Sequence, residues 1–258
     1  MKTIIIILLT SIKLCAQIPS YTDVQIEMAG QSNCAGKATG AISAYTPLNS
    51  SCKIFNTSTY LFETINAQTN TGQPTTNGQG AYGVETPLAY KINLLTKKKV
   101  FINKYGIDNT GITSFMERSS LYLFPSIGNT MIYNTDKSNP YLTNTTKRLG
   151  FIWIQGEADG TTTTNANAYL ANLRILVSDW RLTRKLKGPI IFVTPSYNPS
   201  LVPYRNTVVA AMNTVASENT DIYVIDTVSQ PLGDGLHYTG TAIESIATSI
   251  FNILKGYL

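Results

Sequence analysis

The chain has 258 residues, of which 43% are hydrophobic and 14% are charged. These proportions are typical of one globular domain and argue against intrinsic disorder. The formal net charge is +5, with one histidine and three cysteines. That inventory excludes a metal site built on several histidines or on four cysteines. The basic residues are scattered, without a stripe interleaved with aromatics, which disfavours nucleic-acid binding.

Residues 1–16 are expected to form a signal peptide. Lys2 gives a positive start, residues 4–9 are an apolar run too short to span a bilayer, and Ala16 offers a small residue for cleavage. The alternative is a buried first strand. With the leader removed, we expect a single domain over residues 17–258 that is secreted or periplasmic and does not contact a membrane.

The cysteines add two further expectations. Cys15 could carry a lipid anchor, but Lys13 and Leu14 do not fit the motif that precedes such a cysteine, so an anchor is disfavoured. Cys34 and Cys52 would remain in the mature chain and could pair in an oxidising compartment. The sequence does not give the separation of their Cα atoms, so the disulfide stays open.

Short β-branched or aromatic runs predict a set of β-strands. Several of these runs are apolar at consecutive positions, which is typical of a parallel sheet buried on both faces. A polar stretch over residues 67–83, rich in Thr, Asn, Gln and Gly, predicts a long surface loop. The predicted strands are residues 24–28, 100–103, 150–154, 189–194 and 222–225.

Helical patterns fall between the predicted strands. Strands that alternate with helices indicate βαβ units and a parallel sheet with right-handed crossovers. In such folds the active site lies beyond the carboxyl ends of the strands. The predicted helices are one capped by Thr86 with Pro87 at its first position, one over residues 166–180, one that Pro203 opens, and one with a capping box at Thr241 and Glu244.

The segment after the first strand carries a candidate nucleophile. Gly30 and Gly36 bracket Ser32 at a predicted strand-to-helix turn, which would expose its hydroxyl above the sheet. The alternative is that Ser32 only caps the helix. The segment after strand 150–154 is also polar. Gln155 could donate its amide to an oxyanion, whereas Glu157 and Asp159 could simply organise the turn.

The loop before the last helix holds the single histidine. Asp234 precedes His237 by three residues, so its carboxylate can accept from one imidazole nitrogen and leave the other free as a base. A lone histidine is often structural, but a serine at another strand end favours a catalytic role. Because serine is a weak nucleophile without a neighbouring base, any Ser-His chemistry here must use His237.

These motifs together resemble the SGNH/GDSL hydrolases. Within them the chain is similar to the group of sialate O-acetylesterases and family 6 carbohydrate esterases, which includes acetylxylan esterases. The resemblance covers the chain from about Tyr21 onward and implies a three-layer α/β/α sandwich with a central parallel sheet, the flavodoxin-like SGNH hydrolase fold. The matching motifs are residues 30–33 (GQSN), 153–159 (WIQGEAD) and 234–237 (DGLH), in that order.

The resemblance also implies roles for single residues. Ser32 would be the nucleophile, His237 the general base and Asp234 the group that orients it. Gln155 would stand where many relatives have an oxyanion-hole asparagine, beside the backbone amide of Ser32. The candidate residues for oxyanion or substrate binding are Gln155, Asp108, Asn109, Gln31 and Glu157.

Two positions depart from the family pattern. Asp108 and Asn109 stand where the family usually has two glycines, and Phe115 stands where it has a tryptophan. A backbone amide at Asp108 could still serve the oxyanion. The departures lead us to expect an altered substrate wall near these residues.

The expected activity is removal of acetyl groups from acetylated sugars of the sialic acid or xylan type, through a Ser-His-Asp acyl-enzyme. No metal or organic cofactor is expected, and the expected partner is an acetylated carbohydrate. The alternatives are an esterase or lipase acting on other small esters, and a non-catalytic carbohydrate-binding protein on the same fold. The sequence makes no prediction of oligomeric state.

Overall fold

The computed structural model describes residues 21–38, 49–57, 59–67, 69–71, 81–116, 142–183 and 188–258. The predicted signal peptide, residues 1–16, lies outside the described residues. So do residue 68 and residues 72–80 of the predicted surface loop.

The described part of the chain contains a seven-stranded sheet in the order β3-β2-β4-β1-β5-β6-β7. All neighbouring strands are parallel except β2 and β3, which form an antiparallel pair at one edge. The strands are β1 (Asp23–Gly30), β2 (Cys52–Asn56), β3 (Leu61–Thr64), β4 (Lys99–Gly106), β5 (Thr146–Ile154), β6 (Ile190–Val193) and β7 (Ile222–Ile225).

Helices cover both faces of the sheet, which confirms the predicted three-layer α/β/α architecture. Helices α2 and α5 pack on one face, and helices α3 and α4 pack on the other. The described helices are α1 (Ser32–Ala35), α2 (Glu85–Thr96), α3 (Thr163–Thr183), α4 (Arg205–Ser217) and α5 (Gly240–Leu254), with single 3₁₀ turns at Ile112–Phe115, Asp159–Thr161 and Lys255–Tyr257.

Alternating side chains of the central strands fill the two apolar layers. On β5, Ile152 points to the layer under α2 and α5, and Trp153 points to the layer under α3 and α4. Both side chains are fully buried. Since each strand is covered on both sides, its run of consecutive apolar residues is explained. All five predicted strands are present. Strand 222–225 has the predicted ends, and the other four differ from the prediction only at their ends.

The β2–β3 hairpin was missing from the sequence-based prediction. Leu61, the first residue of β3, is 49% exposed, and the rest of that strand is half-buried. Because a half-exposed edge strand does not need a regular apolar alternation, its sequence carries little strand signal.

Three predicted helix starts are corrected by the structure. Helix α2 begins at Glu85, so Thr86 lies inside its first turn. Helix α4 begins at Arg205 rather than at Pro203. The cap of α5 is Thr239, whose side chain accepts from the amide of Ala242, so the predicted capping box at Thr241 is wrong. Of these three helices, only α5 has a cap residue whose side chain accepts from its first turn.

Cys34 and Cys52 are free, buried thiols in the structure and do not form a disulfide. Burial raises the pKa of Cys34 to about 12 and that of Cys52 to about 11, so both thiols remain protonated at neutral pH. Within the described residues, no helix is both long enough and apolar enough to cross a membrane.

Candidate active site

A cavity of about 360 Å³ opens at the carboxyl ends of the parallel strands. Its walls come from the segments that follow β1, β4, β5, β6 and β7, which is where ligands bind in open parallel α/β sheets. The described residues that line it are Gln31, Ser32, Asp108, Asn109, Glu157, Ala158, Thr161, Leu201, Val202, Leu236 and His237.

Ser32 reaches the cavity because the chain turns sharply at the end of β1. A Cβ atom at Gly30 would lie 1.9 Å from the carbonyl oxygen of Ile154, so only glycine fits between these two strands. Helix α1 then begins at Ser32, with Gln31 at the cap position. Ser32 therefore does not cap the helix, and its side chain is placed at the cavity wall.

Asp234 and His237 form the predicted pair on the loop between β7 and α5. Asp234 Oδ2 lies 2.7 Å from His237 Nδ1, while Asp234 Oδ1 accepts from the amides of Leu236 at 3.0 Å and His237 at 2.7 Å. Partial burial raises the pKa of Asp234, but these hydrogen bonds outweigh it and lower the pKa to about 2. The ionised carboxylate fixes Nδ1 and leaves Nε2 free to take a proton.

Asn33 links the nucleophile turn to both neighbours of His237. Its Nδ2 donates to the carbonyl of Leu236 at 3.3 Å, and its Oδ1 accepts from the amide of Tyr238 at 3.2 Å. Because Asn33 directly follows Ser32, one side chain sets the serine and histidine segments relative to each other. No role for Asn33 was predicted from the sequence, where its place directly after the candidate nucleophile was the available signal.

Glu157 is a buried carboxylate in the cavity wall. Its Oε1 accepts from Asn33 Nδ2 at 2.7 Å and from the amide of Ser196 at 3.2 Å. Its Oε2 has no hydrogen-bond partner among the described residues, and burial raises the pKa of the group. Neither Glu157 nor any other described residue belongs to a group of three or more His, Cys, Asp and Glu side chains able to hold a metal ion.

Gln155 is fully buried and is not part of the described cavity wall. Its Nε2 lies 2.5 Å from Asp159 Oδ2, 3.0 Å from the carbonyl of Thr110 and 3.2 Å from Gln31 Oε1. Its Oε1 accepts from the hydroxyl of Tyr169 at 3.0 Å. Because its amide hydrogens already have acceptors, the predicted donation from Gln155 to an oxyanion does not fit this arrangement.

Asp108 and Asn109 line the cavity together with residues of the polar segment after β5. Asp108 Oδ2 forms an ion pair with Lys37 Nζ at 2.6 Å. Asn109 has a φ of +50°, in the left-handed region that glycine and asparagine adopt more readily than other residues. This backbone conformation accounts for asparagine at a position where the family usually has glycine.

Phe115 does not form a substrate wall. It is 2% exposed and packs edge-on against Trp153, with ring centroids 4.9 Å apart. It therefore belongs to the apolar layer under α3 and α4, whereas Asp108 and Asn109 are among the described residues that line the cavity.

A comparison of the sequence with protein-family models identifies the family. The family model for carbohydrate esterases described as sialic acid-specific acetylesterases matches residues 23–253. The chain belongs to this family. It is therefore an esterase, and the family resemblance found in its motifs is confirmed. Among curated proteins, none matches this esterase in sequence.

Solved structures with a similar fold include a protein from Arabidopsis thaliana, with a TM-score of 0.73, 20% identity, and coverage of 92% of this esterase and 100% of that chain. NanS gives a TM-score of 0.69 and 14% identity, covering 93% of this esterase and 98% of that chain. A carbohydrate acetylesterase from Xanthomonas citri gives a TM-score of 0.67 and 17% identity, covering 91% of this esterase and 56% of that chain. At these identities the likeness shows the fold, which confirms the predicted SGNH-type sandwich.

Proposed function

We propose that this esterase removes acetyl groups from acetylated sugars through an acetyl-enzyme formed on Ser32. One observation carries the proposal: His237, held at Nδ1 by Asp234 at 2.7 Å, lines the same cavity as Ser32. A nucleophile, a base and a carboxylate that orients the base are the set that acyl transfer by serine requires.

In the first half-reaction, Ser32 Oγ attacks the carbonyl carbon of the acetyl ester while His237 Nε2 takes its proton. The described contacts include no hydrogen bond between Ser32 Oγ and the imidazole, and catalytic hydrogen bonds often tighten only when substrate is bound. The backbone amide of Ser32, at the first position of α1, has no acceptor within that helix and can donate to the oxyanion.

Collapse of the tetrahedral intermediate expels the sugar oxygen, which takes the proton from His237. In the second half-reaction, His237 removes a proton from water as the water attacks the acetyl-enzyme. Acetate leaves, and the proton returns to Ser32 Oγ. Asp234 stays ionised throughout because its pKa is about 2, and it stabilises the imidazolium that forms in each half-reaction.

The choice of acetylated sugars is supported by the family description and by the Xanthomonas citri relative, which is itself a carbohydrate acetylesterase. A second candidate is hydrolysis of other small esters. It is favoured by three apolar side chains in the cavity wall, Leu201, Val202 and Leu236, which would also accept an apolar leaving group.

Ester hydrolysis on a panel of substrates tests the proposal, measured as release of acetate from the acetyl esters and of the corresponding free acid from the medium-chain ester. Acetylated xylan, O-acetyl sialic acid and a medium-chain ester would be given to the wild type, to Ser32→Ala and to the control Ser217→Ala, an exposed serine at the end of α4. We expect release from at least one acetylated sugar, loss of it in Ser32→Ala and retention in Ser217→Ala. Full activity of Ser32→Ala would contradict the mechanism, and activity only on the medium-chain ester would contradict the substrate class.

A further inference from the structure

We propose that the side-chain amide of Gln31 supplies the oxyanion donor that the family resemblance assigns to Gln155, and that Gln155 and Tyr169 are positioning residues for it. The inference rests on the proposed acyl-enzyme at Ser32. It follows from the direction of each hydrogen bond in one buried network behind the cavity.

The orientation of the Gln31 side-chain amide is fixed by its hydrogen-bond partners. Its Oε1 lies 3.0 Å from the backbone nitrogen of Ala158 and 3.2 Å from Gln155 Nε2. A backbone N–H can only donate, so an oxygen must face Ala158. The flipped amide would set two donors against each other, and the nitrogen of Gln31 therefore points away from Ala158.

The orientation of the Gln155 amide is likewise fixed by its hydrogen-bond partners. Trp153 Nε1 donates to the hydroxyl oxygen of Tyr169 at 3.1 Å, which leaves the hydroxyl hydrogen to donate to Gln155 Oε1 at 3.0 Å. Nε2 of Gln155 consequently faces acceptors only, namely Asp159 Oδ2 at 2.5 Å and the carbonyl of Thr110 at 3.0 Å, together with Gln31 Oε1. The chain of donors thus runs from Trp153 to Gln31 in a single direction.

The side-chain amide of Gln31 is the last group in this series of hydrogen bonds. Gln31 is 2% exposed, lines the cavity and directly precedes Ser32. The contacts of the described residues give its Nε2 no acceptor, whereas its Oε1 accepts from three donors, the amides of Gly156 and Ala158 and the side chain of Gln155. The Nε2 of Gln31 is thus an uncommitted donor with two hydrogens at the cavity wall, beside the nucleophile, and this position points to a negative oxygen as its partner.

The side-chain amide of Gln31 is therefore a preorganised donor. Because the orientation of Gln31 is set before substrate binds, its amide needs no reorganisation when charge develops on the ester oxygen. Together with the backbone amide of Ser32, it gives the oxyanion two donors from adjacent residues. Gln155 contributes through Gln31, not by contact with substrate.

Steady-state kinetics on an acetyl ester test the assignment. Gln31→Met keeps the approximate shape and removes the donor, and Gln31→Glu keeps an acceptor for Ala158 while removing the donor. The control is Gln230→Glu, which makes the same exchange outside the cavity wall, at a half-buried glutamine whose Nε2 donates to Ser245 Oγ. We expect both Gln31 variants to lose about 10²–10³ in kcat with little change in KM, and the control to match the wild type.

Folded Gln31→Met and Gln31→Glu proteins, verified by their unfolding transitions, that keep kcat within about threefold of the wild type would overturn the assignment. A loss confined to KM would also overturn it, since an oxyanion donor acts in the transition state. If Ser32→Ala is inactive in the same assay, either result counts against Gln31 alone. If Ser32→Ala is fully active, the proposed function itself fails.

The positioning role has its own test in a double-mutant cycle. Tyr169→Phe removes the hydroxyl that orients Gln155 and should lower kcat in the wild-type background. In the Gln31→Met background it should have no further effect on kcat, because the group that it positions is gone. Equal losses of kcat in both backgrounds would show that Tyr169 acts on stability or by another route, and would contradict the positioning role.

Discussion

The two sides of the cavity hold their polar groups in different ways. On one side, the side chains of Asp234 and His237 are 60% and 23% exposed and are joined within one short loop. On the other side, Gln155 and Gln31 are 0% and 2% exposed and are joined across β1, β5 and α3. The first side provides a base that gains and loses a proton and a carboxylate that orients it, and the second provides fixed dipoles.

This difference predicts that changes on the two sides affect stability to different extents. A change in the exposed pair leaves few buried groups unpaired, so it should affect catalysis with little effect on folding. A change in the buried network leaves donors or acceptors unpaired away from water, at a cost of about 1–3 kcal/mol each.

His237→Ala should show the largest effect. The sequence contains one histidine, so no second imidazole can act as the base. We expect kcat on an acetyl ester to fall on the order of 10⁴-fold or more, with the melting temperature nearly unchanged. Steady-state kinetics and thermal unfolding of the purified variant measure both quantities. A variant within tenfold of wild-type activity would show that the base lies elsewhere.

Asp234→Asn should show the next largest effect. Asparagine keeps the acceptor for the amides of Leu236 and His237, but its NH₂ group faces Nδ1 and favours the imidazole tautomer that cannot accept a proton at Nε2. We expect a loss of up to about 10⁴ in kcat with a small change in stability. Wild-type kcat in this variant would reduce Asp234 to a structural role.

Tyr169→Phe should lower stability in addition to its effect on kcat. It leaves Trp153 Nε1 and Gln155 Oε1 without the hydroxyl between them, in a fully buried position. We expect the free energy of unfolding in urea to fall by about 1–3 kcal/mol. The control Tyr204→Phe, at a tyrosine that is 38% exposed, should stay within about 0.5 kcal/mol. Equal changes in the two variants would contradict the difference between buried and exposed sides.

Glu157→Gln should give a small effect that depends on pH. Burial raises the pKa of Glu157 in the folded protein. Its contribution to stability is therefore present below the ordinary carboxyl pKa of about 4.3 and is lost as the pH rises through the raised value. Glutamine does not titrate, so the melting temperature of the variant relative to the wild type should increase from pH 4 to pH 8. A difference that decreases over this range would contradict a raised pKa.

The exposed side of the cavity was more predictable from the sequence than the buried side. Asp234 and His237 lie three residues apart on one loop, so their contact is local and visible in the sequence. The central strands were predictable for a related reason, since burial on both faces leaves a run of apolar residues such as those of β5 and β6.

The buried network depends on contacts between distant parts of the chain. Gln31 meets Gln155 across 124 positions, and Asn33 meets Tyr238 across 205. The sequence contains each of these residues but not the direction in which its amide points, which is set by donors such as the amide of Ala158. Gln155 was therefore assigned to the cavity from its motif, although its neighbours fix it behind Gln31.

The central claim is that Ser32 is a nucleophile activated by His237. A fluorophosphonate probe tests this most directly, with the labelled peptide identified by mass spectrometry in the wild type and in His237→Ala. The account predicts one label on the peptide that contains Ser32 in the wild type and little or none in the variant. An active wild type that carries no label, or carries it on another residue, would contradict the account.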